Sequence, residues 1–174
     1  LHLVRCGLAE DRLWRRPTPL RHLADLSRRL ARLDLTAFLA EHRRLAMARA
    51  DEPEVSVVVV LFNQAELTLR CLESLSRVTD PRIEVIVVDN GSTDATGAVL
   101  DRLDGATVLR NRDNLGFLAG SNQGAAAARA PHLLLLNNDA TLFPDALATL
   151  QNEAERLQRP AILTLPQYNA ETGE

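Results

Sequence analysis

The sequence predicts an α/β fold: a mostly parallel sheet with helices on both faces, preceded by an α-helical segment. Three observations carry this. Short apolar runs at residues 55–62, 83–88 and 133–136 alternate with amphipathic stretches of helical period. The runs are continuously apolar rather than alternating, as in strands buried on both faces of a parallel sheet. Each then stops abruptly at polar residues: Asn63, Asp89-Asn90-Gly91-Ser92, and Asn137-Asn138-Asp139. The carboxyl ends of strands are where open α/β sheets place their ligands.

With 174 residues, the chain is long enough for one domain and an appendage. Hydrophobic residues make up 46% and charged residues 25%, while aromatics are only 3%, so the core must be aliphatic. All 20 basic residues are arginine, which excludes a Walker phosphate loop and a lysine Schiff base. Residues 1–50 hold 11 Arg against 5 acids; residues 51–174 hold 9 Arg against 18. A basic segment of this kind suits a solvated helix face or an anionic surface. Cys6 and Cys71 match no metal or redox spacing and are expected as free thiols in a reducing compartment. No apolar run approaches the ~20 residues that span a bilayer. The first residues are broken by Arg5, Glu10 and Asp11, unlike a signal peptide, and the chain starts at Leu1 rather than Met.

Taken in order, Leu20, Leu23, Leu26, Leu30 and Leu33 recur at helical spacing behind Pro19, and a second helix is expected around residues 35–49. Together these form a helical extension over residues 1–50, or the end of a preceding domain. Asp51-Glu52-Pro53-Glu54 marks the boundary with residues 51–174. The first strand, 55–62, leads into a helix carrying Leu67, Leu69, Cys71, Leu72 and Leu75. After the Asp80-Pro81 turn, strand 83–88 leads to a helix capped by Ser92 or Thr93 and running to about Leu103. A short strand at 107–109, a polar loop, an alanine-rich helix near 121–129 and strand 133–136 follow. Pro144-Asp145 opens a helix to about Gln158, and 161–165 is expected as a further strand. His22 and His42 read as surface residues. His132, at a strand start, lies at the edge of the sheet away from the ligand end.

Three segments can carry chemistry. The Asp89 carboxylate suits ribose hydroxyls or the imide N–H of a uracil-like base, and Gly91 permits a tight turn beside it; an Asp/Asn turn and helix cap use the same residues. Asp139 suits a hard cation, Mg2+ or Mn2+, which takes one or two carboxylates and completes its shell with phosphate and water. Asn137 and Asn138 offer amides to sugar hydroxyls or to that carboxylate. In NLGFLAGSNQG, Gly116, Gly120 and Gly124 recur every four residues, giving a helix a smooth face for close approach, while Asn114 and Asn122 can donate to phosphate or base. A dinucleotide fingerprint is absent, since no glycine pattern follows the first strand.

In order and spacing, VSVVVVLFNQAELTLRCLESL, IEVIVVDNGSTDAT, RNRDNLGFLAGSNQGAAAA and LLLLNNDATLFPDAL resemble the nucleotide-binding part of family 2 glycosyltransferases, which have the GT-A fold. The NND form, with VDN rather than VDD, looks most like the rhamnosyltransferase-like branch. The resemblance covers roughly residues 54–174. It implies that Leu61, Phe62 and Asn63 line the base pocket and that Asp89, with Asn90 beside it, contacts base or ribose. Asn114, Gly116 and Asn122 would lie near nucleotide and diphosphate. Asn137 and Asn138 would face the nucleotide sugar, and Asp139 would be the acid of the metal-binding triplet.

The function so implied is metal-dependent, inverting transfer of a hexosyl or rhamnosyl unit from a UDP-, dTDP- or GDP-sugar to a saccharide or lipid-linked acceptor. The setting would be polysaccharide or glycoconjugate assembly in the cytoplasm, with peripheral association at the inner membrane face and no nucleic-acid partner. Many relatives have proline where Val60 stands, and the family's catalytic base is expected beyond Glu174. The chain therefore reads as a part lacking the acceptor half and inactive alone. The alternative is a non-catalytic module that binds a nucleotide sugar or a partner protein.

Overall fold

The computed structural model describes residues 20–78, 82–143, 145–157 and 160–164. The chain divides into two units, Leu1–Leu30 with Pro166–Glu174, and Ala31–Leu165. The described part of the first is the opening half of helix α1 (Leu20–Ala40). The second contains β1 (Leu45–Ala46), β2 (Val55–Leu61), α2 (Ala65–Ser76), β3 (Ile83–Asp89), α3 (Thr96–Leu100), β4 (Leu103–Asp104), β5 (Thr107–Arg110), α4 (Phe117–Ala127), β6 (His132–Asn137) and α5 (Ala146–Leu157).

Among the described residues four strands form one sheet in the order β5-β3-β2-β6, and every pairing within it is parallel. Val55 pairs with Ile83 and His132, and Leu61 with Asp89, so β2, β3 and β6 end at one edge. Both central strands are buried along their whole length. On one face Val57, Val59 and Leu61 pack with Val85 and Val87 against Leu69, Leu72 and Leu75 of α2, and Leu147 of α5 joins the same cluster. On the other face Val58, Val60, Ile86 and Val88 form a second cluster, beneath α4, which packs on β2 and β3.

The glycines of α4 make that approach possible. A Cβ on Gly120 would stand 2.8 Å from Val60 Cγ1, and one on Gly124 would overlap Val58 Cγ1. Gly124→Ala is therefore expected to lower stability by about 1–3 kcal/mol through overpacking. Gly97→Ala, in α3 with nothing within 4 Å of the new carbon, should raise it by about 0.4–1 kcal/mol. Denaturant midpoints at unchanged slope check both, and a neutral Gly124→Ala would show that α4 does not sit so close.

Several expectations are corrected. β6 was expected to be buried on both faces at the sheet centre. Among the described residues it is an edge strand, with Leu133 and Leu135 about half exposed. Only Leu134 and Leu136 reach the core, because α4 covers β2 and β3 but not β6. The helix expected over residues 35–49 does not form separately. α1 continues through Phe38 and stops in a Schellman turn: His42 adopts φ 52, and Arg43 N–H donates to Phe38 O. The chain then extends, because Leu45 and Met47 are buried alternately and their amides bond Arg102 O and Asp104 O beside β4. That pairing also ends α3 at Leu100, short of the expected Leu103. Residues 161–164 form no strand, and Leu165 lies outside the described residues, as does Cys6. No helix among the described residues is long and apolar enough to cross a membrane.

At the amino edge of the sheet, where His132 is exposed at the start of β6, Glu84 is buried. Its carboxylate accepts from Ser56 Oγ (2.6 Å), Arg129 N–H (2.7 Å) and Arg129 Nε (2.8 Å). Burial alone would push this carboxyl up. The Ser56 hydrogen bond, the Arg129 amide and the Arg129 guanidinium outweigh it and hold the group below its ordinary value.

Candidate functional site

The opposite, carboxyl edge gathers the polar strand ends. Asp89 closes β3, is buried, and accepts Ser92 N–H on Oδ1 at 3.0 Å. Gly91 turns the chain at φ 77, with a Cβ there only 2.8 Å from Arg112 O, so the turn requires glycine. Asn90 is buried and turned inward. Its amide donates to Gly116 O (3.1 Å), and its Oδ1 accepts from Asn111 Nδ2 (2.8 Å). Asn111 in turn exchanges hydrogen bonds with Gln123 of α4 at 2.8 and 3.0 Å. Asn90 thereby ties the Asp89 turn to the start of α4.

Beyond β2, Leu61 is buried and Phe62 exposed. Asn63 and Gln64 are consecutive left-handed residues, φ 57 and 60, a conformation that Asn tolerates and that surrounding bonds must hold. Those bonds come from the next loop. Ser92 Oγ accepts Asn63 N–H (2.8 Å), Asn63 Oδ1 accepts Thr93 N–H (2.9 Å), and Asp94 Oδ2 accepts Ala65 N–H (3.0 Å). Burial pushes the Asp94 carboxyl up, but its bonds to Thr96 and Ala65 prevail and hold it below the ordinary value. The loops after β2 and β3 are therefore one stitched unit.

The loop after β6 rests on α2. Asn138 Nδ2 donates to Thr68 Oγ1 at 3.1 Å, with Asn63 O at 3.5 Å. Cys71 Sγ lies 3.5 Å from Asn137 O, and Leu142 N–H donates to Ser74 Oγ at 3.0 Å. Burial first, and the negative charge of Asp139 second, push the Cys71 thiol up to about 12. It stays protonated and is no nucleophile. Asn137 and Asp139 are exposed, and the Asp139 carboxylate takes no hydrogen bond among the described residues. Nor do those residues contain a group of three His, Cys, Asp or Glu side chains able to hold a metal. One open carboxylate fits a hard cation whose other ligands are phosphate oxygens and water, and does not fit a metal caged by protein alone.

Of the expected site residues, the structure joins Leu61, Asn63, Asp89, Asn90, Asn138 and Gly116 through direct hydrogen bonds or strand register. Asn114 Oδ1 accepts Gly116 N–H at 2.9 Å before α4. Asn122 is exposed on α4, and no described hydrogen bond links it to the strand ends. Reading the sequence assigned Thr68, Ser74 and Asp94 no role at the site, placed Cys71 only in the helix, and expected Ser92 or Thr93 to cap α3; α3 starts instead at Thr96, and Ser92 holds the Asn63 loop. The only signal of these roles was spacing, three residues apart on α2 and adjacent to the Asp89 turn.

The structure is thus an α/β protein that presents a set of polar and acidic groups along the carboxyl edge of a parallel sheet. Residues 56–174 match the model for glycosyl transferase family 2, and the chain belongs to that family. Succinoglycan biosynthesis protein ExoO of Rhizobium meliloti is 33% identical over 105 residues, covering 59% of this chain and 30% of that protein. Mannosyltransferase PcManGT from Pyrobaculum calidifontis, solved in complex with GDP-Man and Mn2+, shares the fold. Its TM-score is 0.53 at 24% identity over 81% of this chain and 43% of that one. S. aureus TarS in complex with UDP-GlcNAc also has TM-score 0.53, at 23% identity over 59% of this chain and 31% of that one. The chain spans about a third of the length of the curated relatives it matches.

Proposed function

We propose that this chain is the donor-binding part of a metal-dependent, inverting glycosyltransferase. It would move a hexosyl or rhamnosyl unit from a nucleotide sugar to a saccharide or lipid-linked acceptor in polysaccharide or glycoconjugate assembly. The observation that carries this reading is the convergence of the Asn63 loop, the Asp89 turn and Asp139 at one sheet edge. Leu61, Phe62 and Asn63 would border the base, with Asp89 on base or ribose. Asn114, Gly116 and Asn122 would border the diphosphate, and Asn137 the sugar. Asp139 would hold Mg2+ or Mn2+, which neutralises charge growing on the leaving diphosphate. The acceptor hydroxyl would attack the anomeric carbon opposite the breaking bond to the diphosphate. Its proton would pass to a carboxylate outside the site described. The names and bound ligands of ExoO, PcManGT and TarS support a nucleotide-sugar donor and a polysaccharide product. With such donors the reaction would lie in the cytoplasm, at the inner membrane face if the acceptor is lipid-linked.

Thermal unfolding with UDP-, dTDP- and GDP-sugars, with and without Mn2+, tests this. At 100-fold excess over Kd, a bound donor adds about 2.7 kcal/mol and raises Tm by several degrees. One nucleotide should stabilise the chain, and more so with Mn2+; stabilisation by none would overturn the reading. Because the chain spans about a third of its relatives' length, donor binding without sugar transfer is expected of these 174 residues alone.

A further inference from the structure

Asp139 follows a strand end that is itself seated on α2. Thr68, Cys71 and Ser74, three residues apart and all buried, lie along one face of that helix. Each meets a different point of the loop: Thr68 the Asn138 side chain, Cys71 the Asn137 carbonyl, Ser74 the Leu142 amide. Ser74 also donates to Cys71 O at 2.7 Å, which fixes its rotor so that a lone pair faces Leu142. The buried face of an amphipathic helix normally carries apolar side chains. Here this loop supplies partners to the small polar groups: Thr68 Oγ1 accepts from the Asn138 amide, and Ser74 Oγ accepts from Leu142 N–H. The loop bearing the exposed acid is therefore clamped at residues 137, 138 and 142, on both sides of position 139, while the acid itself is left free.

We propose that Thr68, acting through Asn138, and Ser74, acting through Leu142, are positioning residues that preset Asp139 for metal and diphosphate. This rests on the donor-site reading above and goes beyond it. Asn138 acts here as a strut between α2, the Asn63 loop and the acid, rather than as a sugar ligand. A carboxylate that supplies the single protein ligand of a metal depends strongly on such support, and loss of supporting partners typically costs 10–100-fold in metal affinity.

The test uses the full 174-residue chain, with nucleoside diphosphates (UDP, GDP, dTDP) as probes and calorimetry over a Mn2+ series. Thr68→Val and Ser74→Ala are each expected to raise the Mn2+ concentration for half-maximal enhancement of binding about tenfold. Metal-free nucleotide affinity should stay within about twofold, and Thr68→Ser, which keeps the hydroxyl, should restore the wild-type value. Without any ligand, amide hydrogen exchange at residues 138–142 should quicken in both disruptive variants, with β2 and β3 unchanged. An unmoved Mn2+ midpoint in both, against a wild type that shows Mn2+ enhancement, overturns the proposal and leaves the donor-site reading standing. A wild type with no Mn2+ enhancement sinks the metal reading and this proposal with it.

Discussion

Asp139→Ala is expected to abolish the Mn2+-dependent part of nucleoside diphosphate binding while leaving the fold almost untouched. The two halves of that expectation have separate causes. The carboxylate is exposed and accepts no hydrogen bond among the described residues, so its loss orphans no donor; surface changes of this kind stay within about 0.5 kcal/mol. It is also the only carboxylate of the Asn137-Asn138-Asp139 triplet, and Asn138 spends its amide on Thr68. No neighbour in the triplet can therefore replace it as an anionic ligand. Asp89→Ala contrasts with it. Asp89 is buried and holds Ser92 N–H, so its removal should lower stability by about 1–3 kcal/mol as well as weaken metal-free binding. Calorimetric titration with and without Mn2+, beside thermal unfolding, separates the pair. Retained Mn2+ enhancement in Asp139→Ala would count against the assigned role. Cys71 should stay unreactive towards thiol reagents in that variant, because burial, more than the charge of Asp139, is what raises its pKa.

The contrast between Asp89 and Asp139 shows what was legible before the structure. Both acids stood at the ends of apolar runs, and the runs themselves defined β2, β3 and β6 and their common direction. What each polar group faces was not legible. Asn90 and Asn138 read as ligand groups, and no pattern in the sequence shows that their amides also bond Gly116 O and Thr68 Oγ1, because side-chain amides take partners that the tertiary fold brings near. The four leucines of β6 misled for a related reason. A continuous apolar run is compatible with burial on two faces and does not require it; which helix covers the second face was decided by where the glycines of α4 allow it to settle. The stripe Thr68, Cys71, Ser74 has a three-residue spacing but no chemical signature of its own. Its meaning exists only once the loop after β6 lies on it.

Arg129→Ala should be strongly destabilising for a half-exposed residue, and its cost should depend on pH in a stated direction. Glu84 is buried, whereas the Arg129 side chain is half exposed. The loss should therefore be about 2–3 kcal/mol at pH 7, below the 3–5 typical when both partners of a pair are buried. The guanidinium also donates to Asp51 O (3.0 Å) and Ala50 O (2.9 Å), so it joins the segment before β2 to the end of α4. In the wild type the folded Glu84 carboxyl titrates below its unfolded value of about 4.3. The stabilisation it gives is present above that value and is lost as pH falls through the folded one. In Arg129→Ala the lowering influence of the guanidinium is gone and burial is the largest remaining influence. The carboxyl then moves up towards its ordinary value, so ionised Glu84 contributes less stability at neutral pH than it does in the wild type. The difference in stability between variant and wild type should therefore be greatest near pH 7 and shrink below about pH 4. Denaturant unfolding at the two pH values decides it: an equal difference at both would mean that the buried carboxylate is not what Arg129 holds in place.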